Sequence, residues 1–287
     1  MDVGFLVVQS LNGLSFGALL FLVASGFTLI FGLLRIVNLA HGGFYLLGAY
    51  IGLVTIAATG NFLLGIVAAA LAVAILGLGI ERTLLRRARG QELPEVLLTI
   101  GITFVIADLC LAFFGGDPRS VETPKALSGT VMLGSLGYPR YRVFIIAVAA
   151  LVALALFLVQ RHTRIGAIVR AGVDDREVAA AMGINIDRVF TGMFVFGAAL
   201  AGLAGVVGAG LLTVLPGVDV EILLFALVVV IIGGLGSIKG AAVGSILIGL
   251  VDAFSKAWFP EFSYFTIFAP MALVLVLKPA GLFGRTA

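Results

Sequence analysis

Few side chains in this sequence are equipped for chemistry, and they are scattered. Asp108 and Asp252 fall inside long apolar runs, and His41 and Lys239 lie near the ends of others. An ionisable group at bilayer depth is costly, which makes each a functional candidate. A proton- or ion-coupled carrier needs several convergent carboxylates, whereas these two have no evident pairing in the sequence. The other reading of each is a hydrogen bond to a neighbouring helix or a place in a water-filled cavity. Asn38, His41 and Gly42 form a further polar interruption. A helix broken at membrane depth presents backbone groups to a substrate; alternatively, Asn38 and His41 cap a helix end at the membrane boundary, where the span assignment below puts them. Catalytic constellations are missing. His41 and His162 lie in different segments and no H-E-x-x-H occurs, which argues against a metal site. There is no G-x-x-x-x-G-K-[ST] loop to cradle ATP phosphates. Gly234-Leu235-Gly236-Ser237 lacks the G-x-S-x-G order of a serine nucleophile. Cys110, the only cysteine, excludes an intrachain disulfide and reads as a small core residue. The expectation is a chain with no catalytic residues, no metal and no cofactor, which is not itself an enzyme.

The most informative segment runs from Arg170 to Val189. Asp174 followed three residues later by Glu177 has capping-box spacing, with Asp174 as N-cap. Ala179, Ala180, Ala181 and Met182 favour helix, and Gly183 supplies a left-handed stop. The spacing predicts a helix of about two turns, with Val178, Ala181 and Met182 on one face. A helix that short is unstable alone in water, so something must dock against it. It is either a linker helix packed on its own protein or a coupling helix seated in a partner's groove.

The elements that position these residues follow from composition. The chain has 287 residues, 61% hydrophobic and 11% charged, with mean hydropathy +1.22. Soluble domains carry roughly 25% charged residues, so the bilayer must be part of this chain's solvent, with lipid as a partner. The net charge of +3 fits the positive-inside rule rather than nucleic-acid binding. Glycine occurs 38 times, where about 20 would be usual; the excess suits helices packed backbone to backbone in lipid. In the helix from Gly192 to Gly210 the pairs Ala198/Gly202, Ala201/Gly205 and Ala204/Gly208 read as helix packing rather than a substrate site. Nine apolar stretches are expected, at about 6–31, 37–59, 62–80, 96–114, 143–159, 190–215, 222–238, 240–257 and 262–278. They predict an all-α polytopic transmembrane helix bundle of about 8–10 membrane segments, a single domain over 1–287 with a cytoplasmic loop at about 160–190. The first stretch has no basic n-region and reads as a membrane span, not a leader. Residues 222–257 form either two spans or a re-entrant pair. With the N-terminus outside and the C-terminus inside, thirteen of the 18 Lys and Arg face inward, among them Arg35, the arginines of a charged 81–95 loop and Arg285.

Glu177-Val178-Ala179-Ala180-Ala181-Met182-Gly183-Ile184-Asn185 resembles the "E-A-A…G-I" coupling motif of bacterial ABC-importer permeases. With Arg170-Ala171 ahead and Asp187-Arg188-Val189 behind, it is similar to the branched-chain (hydrophobic) amino-acid permease family. The stretches Gly26 to Gly42, Tyr45 to Tyr50 and Val228 to Ser237 agree in the same order. Where many relatives have an acidic residue after the His-Gly pair, Gly43 stands here. The resemblance implies a multi-pass permease subunit of the bacterial plasma (inner) membrane, forming the pathway of an ATP-driven importer for branched-chain or hydrophobic amino acids. It implies two cytoplasmic ABC ATPase subunits, a second permease (a related chain or an identical copy) and an external substrate-binding protein. Asp174, Glu177, Ala180, Ala181, Met182 and Gly183 would then couple the chain to its ATPases. Asn38, His41, Gly42, Asp108 and Asp252 would be candidates for the pathway. Two alternatives are the same architecture importing urea, short amides or another small polar solute, and a self-sufficient carrier or channel.

Overall fold

The computed structural model describes residues 3–34, 37–134 and 136–284. Arg35 and Arg285, two of the inward-facing cations expected from the sequence, lie outside the described residues. Each of the nine apolar stretches holds one helix: α1 (Val3–Leu34), α2 (Ala40–Thr59), α3 (Phe62–Ile80), α5 (Glu92–Phe114), α6 (Arg140–His162), α9 (Ile186–Gly208), α10 (Val218–Gly233), α11 (Ile238–Trp258) and α12 (Ser263–Leu277). Seven are long and apolar enough to cross a membrane; α10 and α12, at 16 and 15 residues, are shorter. The protein is an all-α membrane bundle. Two short helices, α7 (Arg164–Asp174) and α8 (Arg176–Ala181), fill the loop between α6 and α9.

Two sequence boundaries change. The charged 81–95 segment is mostly helix: α3 runs through a π-helical turn, Glu81–Leu85, into α4 (Arg86–Ala88), giving one rod from Phe62 to Ala88. The chain reverses only at 89–91, where Gly90 takes φ +85°. Charge ends membrane burial, not helicity, because a helix emerging into water keeps its backbone hydrogen bonds. The sixth stretch ends at Gly208, not 215. Residues 209–217 turn under a loop that pairs with them, Arg119 exchanging backbone hydrogen bonds of 2.9 and 2.7 Å with Val214. That loop also carries the one strand pair among the described residues, β1 (Thr130–Leu133) with β2 (Leu136–Pro139).

Helices α1 and α9 form the buried centre, and α3, α5 and α6 lie at the periphery. The small-residue pairs of α9 act as the sequence suggests. A Cβ on Gly202 would meet the Ala69 carbonyl at 2.9 Å, and one on Gly205 would run into the backbone of Tyr45 and Ala49. Backbone approach this close maximises dispersion contact where no water drives association. The glycine turn Gly234–Ser237 joins α10 to α11, and α11 then packs along α1, with Gly13 against Gly249 and Gly17 against Ser245. Residues 222–257 thus hold a short helix followed by one of membrane-crossing length.

Candidate functional site

At the arginine-rich end of the bundle α8 stands away from the membrane helices. Its cap is one residue later than the capping-box spacing predicts. Asp174 closes α7, and the Asp175 carboxylate accepts from the Glu177 and Val178 amides at 2.9 and 3.0 Å. The backbone decides this: Asp175 adopts the extended conformation an N-cap needs (φ −151°, ψ 113°), whereas Asp174 is still helical. Asp175→Ala should therefore speed hydrogen exchange of the Glu177 and Val178 amides about fivefold, matching about 1 kcal/mol of lost cap. Asp174→Ala should leave those two amides near wild type.

The exit from α8 is as the sequence predicts. Gly183 sits at φ +85°; its amide donates to the Ala180 carbonyl at 2.9 Å and the Ile184 amide to that of Ala179 at 3.1 Å. This is the Schellman pattern of a terminated helix. Among the described side chains of the helix, Ala179 alone is buried. Glu177, Ala180, Ala181 and Gly183 are exposed, and Val178 (55%) and Met182 (77%) turn apolar surface to water. With Ala181 they form the predicted face. At six residues the helix is under two turns.

Behind α8 lies a polar network that the sequence did not reveal. The Glu81 carboxylate, 1% exposed, is ion-paired to Arg89, accepts from Thr191 Oγ1 at 2.7 Å and sits in the π-helical turn. Arg89 also pairs with Asp187 in the first turn of α9 and lies 4.9 Å from the centre of the Phe190 ring. One guanidinium thus bolts the end of the α3 rod to the start of α9, four residues beyond Gly183. The Glu95 carboxylate accepts from the Gly90 amide at 3.2 Å and closes the turn between them. Glu81, Arg89 and Glu95 wall a cavity of about 20 Å³, room for one water, together with Asn38 and Thr99. Asn38 is 2% exposed, and neither side-chain polar atom has a partner among the described residues.

His41 and Gly42 are deep in the bundle, which corrects the reading of His41 as a cap at the membrane boundary; Asn38 stays beside the Glu81–Arg89 network, but its side chain makes no capping hydrogen bond either. The Leu39 carbonyl accepts from Thr103 Oγ1 at 2.9 Å, halfway along α5. A Cβ on Gly26 of α1 would meet both the His41 ring and the Gly197 carbonyl at the middle of α9. Neither side chain caps α2, whose N-cap residue, Leu39, makes no side-chain hydrogen bond. His41 is fully buried: Nε2–H donates to the Val23 carbonyl of α1 at 2.9 Å, and the ring stands edge-on to Phe27. Gly42 lets the first turn of α10 approach, since a Cβ there would collide with the Asp219 carbonyl. Asp219 itself is buried, and its carboxylate accepts from the Gly217 amide at 2.9 Å.

The two carboxylates expected in spans separate cleanly. Asp252 is buried and paired with Lys256 Nζ at 2.8 Å, which corrects the view that the sequence pairs neither acid. The i,i+4 spacing was a readable signal. Asp108 is exposed on the outer face of α5, seven residues from Gly101, whose missing Cβ faces open space. Glu221 is likewise exposed, in the first turn of α10. It was overlooked because it falls between two apolar stretches, although Pro216-Gly217 ahead of it marks a helix start.

The model of the family described as branched-chain amino acid transport system, permease component, matches residues 9–277. The chain belongs to that family. The permease is 31% identical to the high-affinity branched-chain amino acid transport system permease protein LivH of Escherichia coli K12, covering 96% of this chain and 95% of that one. It is 28% identical to BraD of Pseudomonas aeruginosa, described in the same words, with the same coverage. Its fold resembles that of PsaBC from Streptococcus pneumoniae, solved in complex with a Fab, with TM-score 0.50 and 14% identity over 93% of this chain and 89% of that one. The protein is a transport subunit, multi-pass in the plasma membrane.

Proposed function

We propose that this permease forms the translocation pathway of an ATP-driven importer for branched-chain or other hydrophobic amino acids, and that α8 is its coupling helix. The observation that carries this is the apolar face of Val178, Ala181 and Met182, exposed on a helix too short to persist alone. Asp174 and Glu177 border that face with negative charge, Ala180 allows close seating, and Gly183 fixes where the chain leaves. The arginine-rich end is cytosolic in this reading, and two ATPase subunits hold one coupling helix from each of two permeases. ATP closes the ATPase pair, the seated helices follow, and the Arg89 network carries the movement into α3 and α9. An external binding protein delivers substrate at the opposite end.

A second permease, related or identical, covers the α5 face that carries Gly101 and Asp108. A carboxylate facing hydrocarbon is costly, and an open glycine invites another helix. On this reading Asp108 lines the pathway. Asp252, neutralised by Lys256, and His41 and Gly42, enclosed within one subunit, position helices, while Asn38 faces a cavity too small for an amino acid.

The test is reconstitution in liposomes. Uptake of a branched-chain amino acid is expected only when the second permease, the ATPase subunits, ATP and the binding protein are all present. Uptake by this chain alone would make it a self-sufficient carrier and would end the importer reading.

A further inference from the structure

At the arginine-rich end, on the side of the bundle formed by α1, α6, α7 and α11, a groove of about 510 Å³ is lined by Phe21, Ala153, Phe157, Gln160, Arg161, Arg170, Ile238, Lys239 and Ala242. Its two halves differ in chemistry. The upper half gathers three cations from three elements: Arg161 at the end of α6, Arg170 on α7 and Lys239 in the first turn of α11. None of the three forms an ion pair among the described residues, and no carboxylate lines the groove. The Arg161 guanidinium lies 5.7 Å from the centre of the Phe157 ring, at the rim of the lower half. That lower half is apolar, walled by Phe21, Ala153, Phe157 and Ala242. Arg161 and Lys239 stand where the apolar runs of α6 and α11 end, so the cations lie at headgroup level and the apolar wall descends into hydrocarbon.

Three cations lining one groove that no carboxylate lines make it a place for an anion. A free anion would leave the apolar wall unused. A molecule with a phosphate at one end and acyl chains at the other satisfies both halves, and basic pockets between membrane helices bind such headgroups. We propose that this groove is a binding site for one anionic phospholipid, its phosphate held by Arg161, Arg170 and Lys239 and an acyl chain laid along Phe21, Phe157 and Ala242. Because Arg170 belongs to α7, which leads directly into α8, the lipid fastens that helix to the bundle.

The purified full-length chain in mild detergent is titrated with phosphatidylglycerol, phosphatidylcholine or inorganic phosphate. Bound lipid per chain is read by native mass spectrometry, and melting temperature without lipid serves as the folding control. Wild type is expected to retain phosphatidylglycerol over phosphatidylcholine. Arg170→Ala with Lys239→Ala should weaken retention about 25-fold, at roughly fivefold per cation near an anionic headgroup. Ala242→Phe fills the apolar half, keeps every charge and should weaken it as well. Arg82→Ala with Arg87→Ala removes equal charge elsewhere at this end and should change nothing. Unchanged retention in the groove variants, or an equal loss in the Arg82/Arg87 variant, would overturn the proposal. So would protection by inorganic phosphate that Ala242→Phe leaves intact, since the ligand would then be a free anion. Displacement of the lipid by added ATPase subunits would make the groove a protein-docking surface and overturn it too.

Discussion

Gly183→Val permease should assemble in the membrane with its melting temperature unchanged and yet lose about nine-tenths of ATP-driven uptake. Gly183 holds φ +85° with open space around its Cβ position, so the substitution meets backbone strain and no collision. A non-glycine residue in the left-handed region costs about 1–2 kcal/mol, and a β-branched one is at the upper end. That penalty lowers the population of correctly terminated α8 by roughly 5- to 30-fold. The bundle is untouched because, among the described side chains of α8, Ala179 alone is buried. ATP hydrolysis by the assembled complex should persist, so the signature is a lower ratio of substrate moved to ATP consumed. Gly183→Asn, which tolerates the left-handed region, should retain most uptake. Equal uptake by wild type and the valine variant would remove α8 from the coupling route.

Arg89→Ala should have the largest effect on stability. It leaves Glu81, 1% exposed, with the Thr191 hydroxyl as its one remaining side-chain partner among the described residues. Breaking a buried pair from one side costs about 3–5 kcal/mol, because the surviving charge stays buried and uncompensated. Arg89 retains some contact with solvent, so the lower figure applies here. About 3 kcal/mol corresponds to a fall in melting temperature of roughly 6–12 °C for a chain of this order. Adding Glu81→Leu to Arg89→Met should recover most of the loss, since replacing both partners with apolar groups is often near neutral. Asp187 stays hydrated in either variant, being half exposed. A single Arg89→Ala variant melting within 2 °C of wild type, on the ~2–4 °C per kcal/mol scale, would show that the network carries little energy. Thermal unfolding of wild type and both variants in one detergent makes the comparison.

Both predictions turn on features of unequal legibility. Gly183 could be read directly, because an alanine run ended by glycine is a local signal and helix termination is local physics. The cap beside it could not be placed to the residue. Asp174 and Asp175 both precede Glu177 at usable spacing, and only the path of α7 decides which of them leaves the helical region. Glu81, Arg89, Asp187 and Thr191 span about 110 residues of chain, and nothing local marks them as partners. They read as separate charges in two loops. Asp252 and Lys256 were legible by i,i+4 spacing, yet assigning Lys256 to an outer boundary obscured the pair.

Apolar length determined the nine apolar helices and the all-α membrane class, because a bilayer selects for apolar runs of sufficient length wherever they fall in the chain, and the alanine run with its glycine stop marked the short helix between α6 and α9. Depth and facing were decided only by the tertiary structure. Leu39 and His41 follow the end of α1 in sequence, yet they sit beside the midpoints of α5 and α9; Asp108 and Cys110, two residues apart, face outward and inward. Hydropathy measures how costly a segment is in water. It carries no information about which neighbour that segment finds, because close packing depends on distant glycines meeting distant backbones.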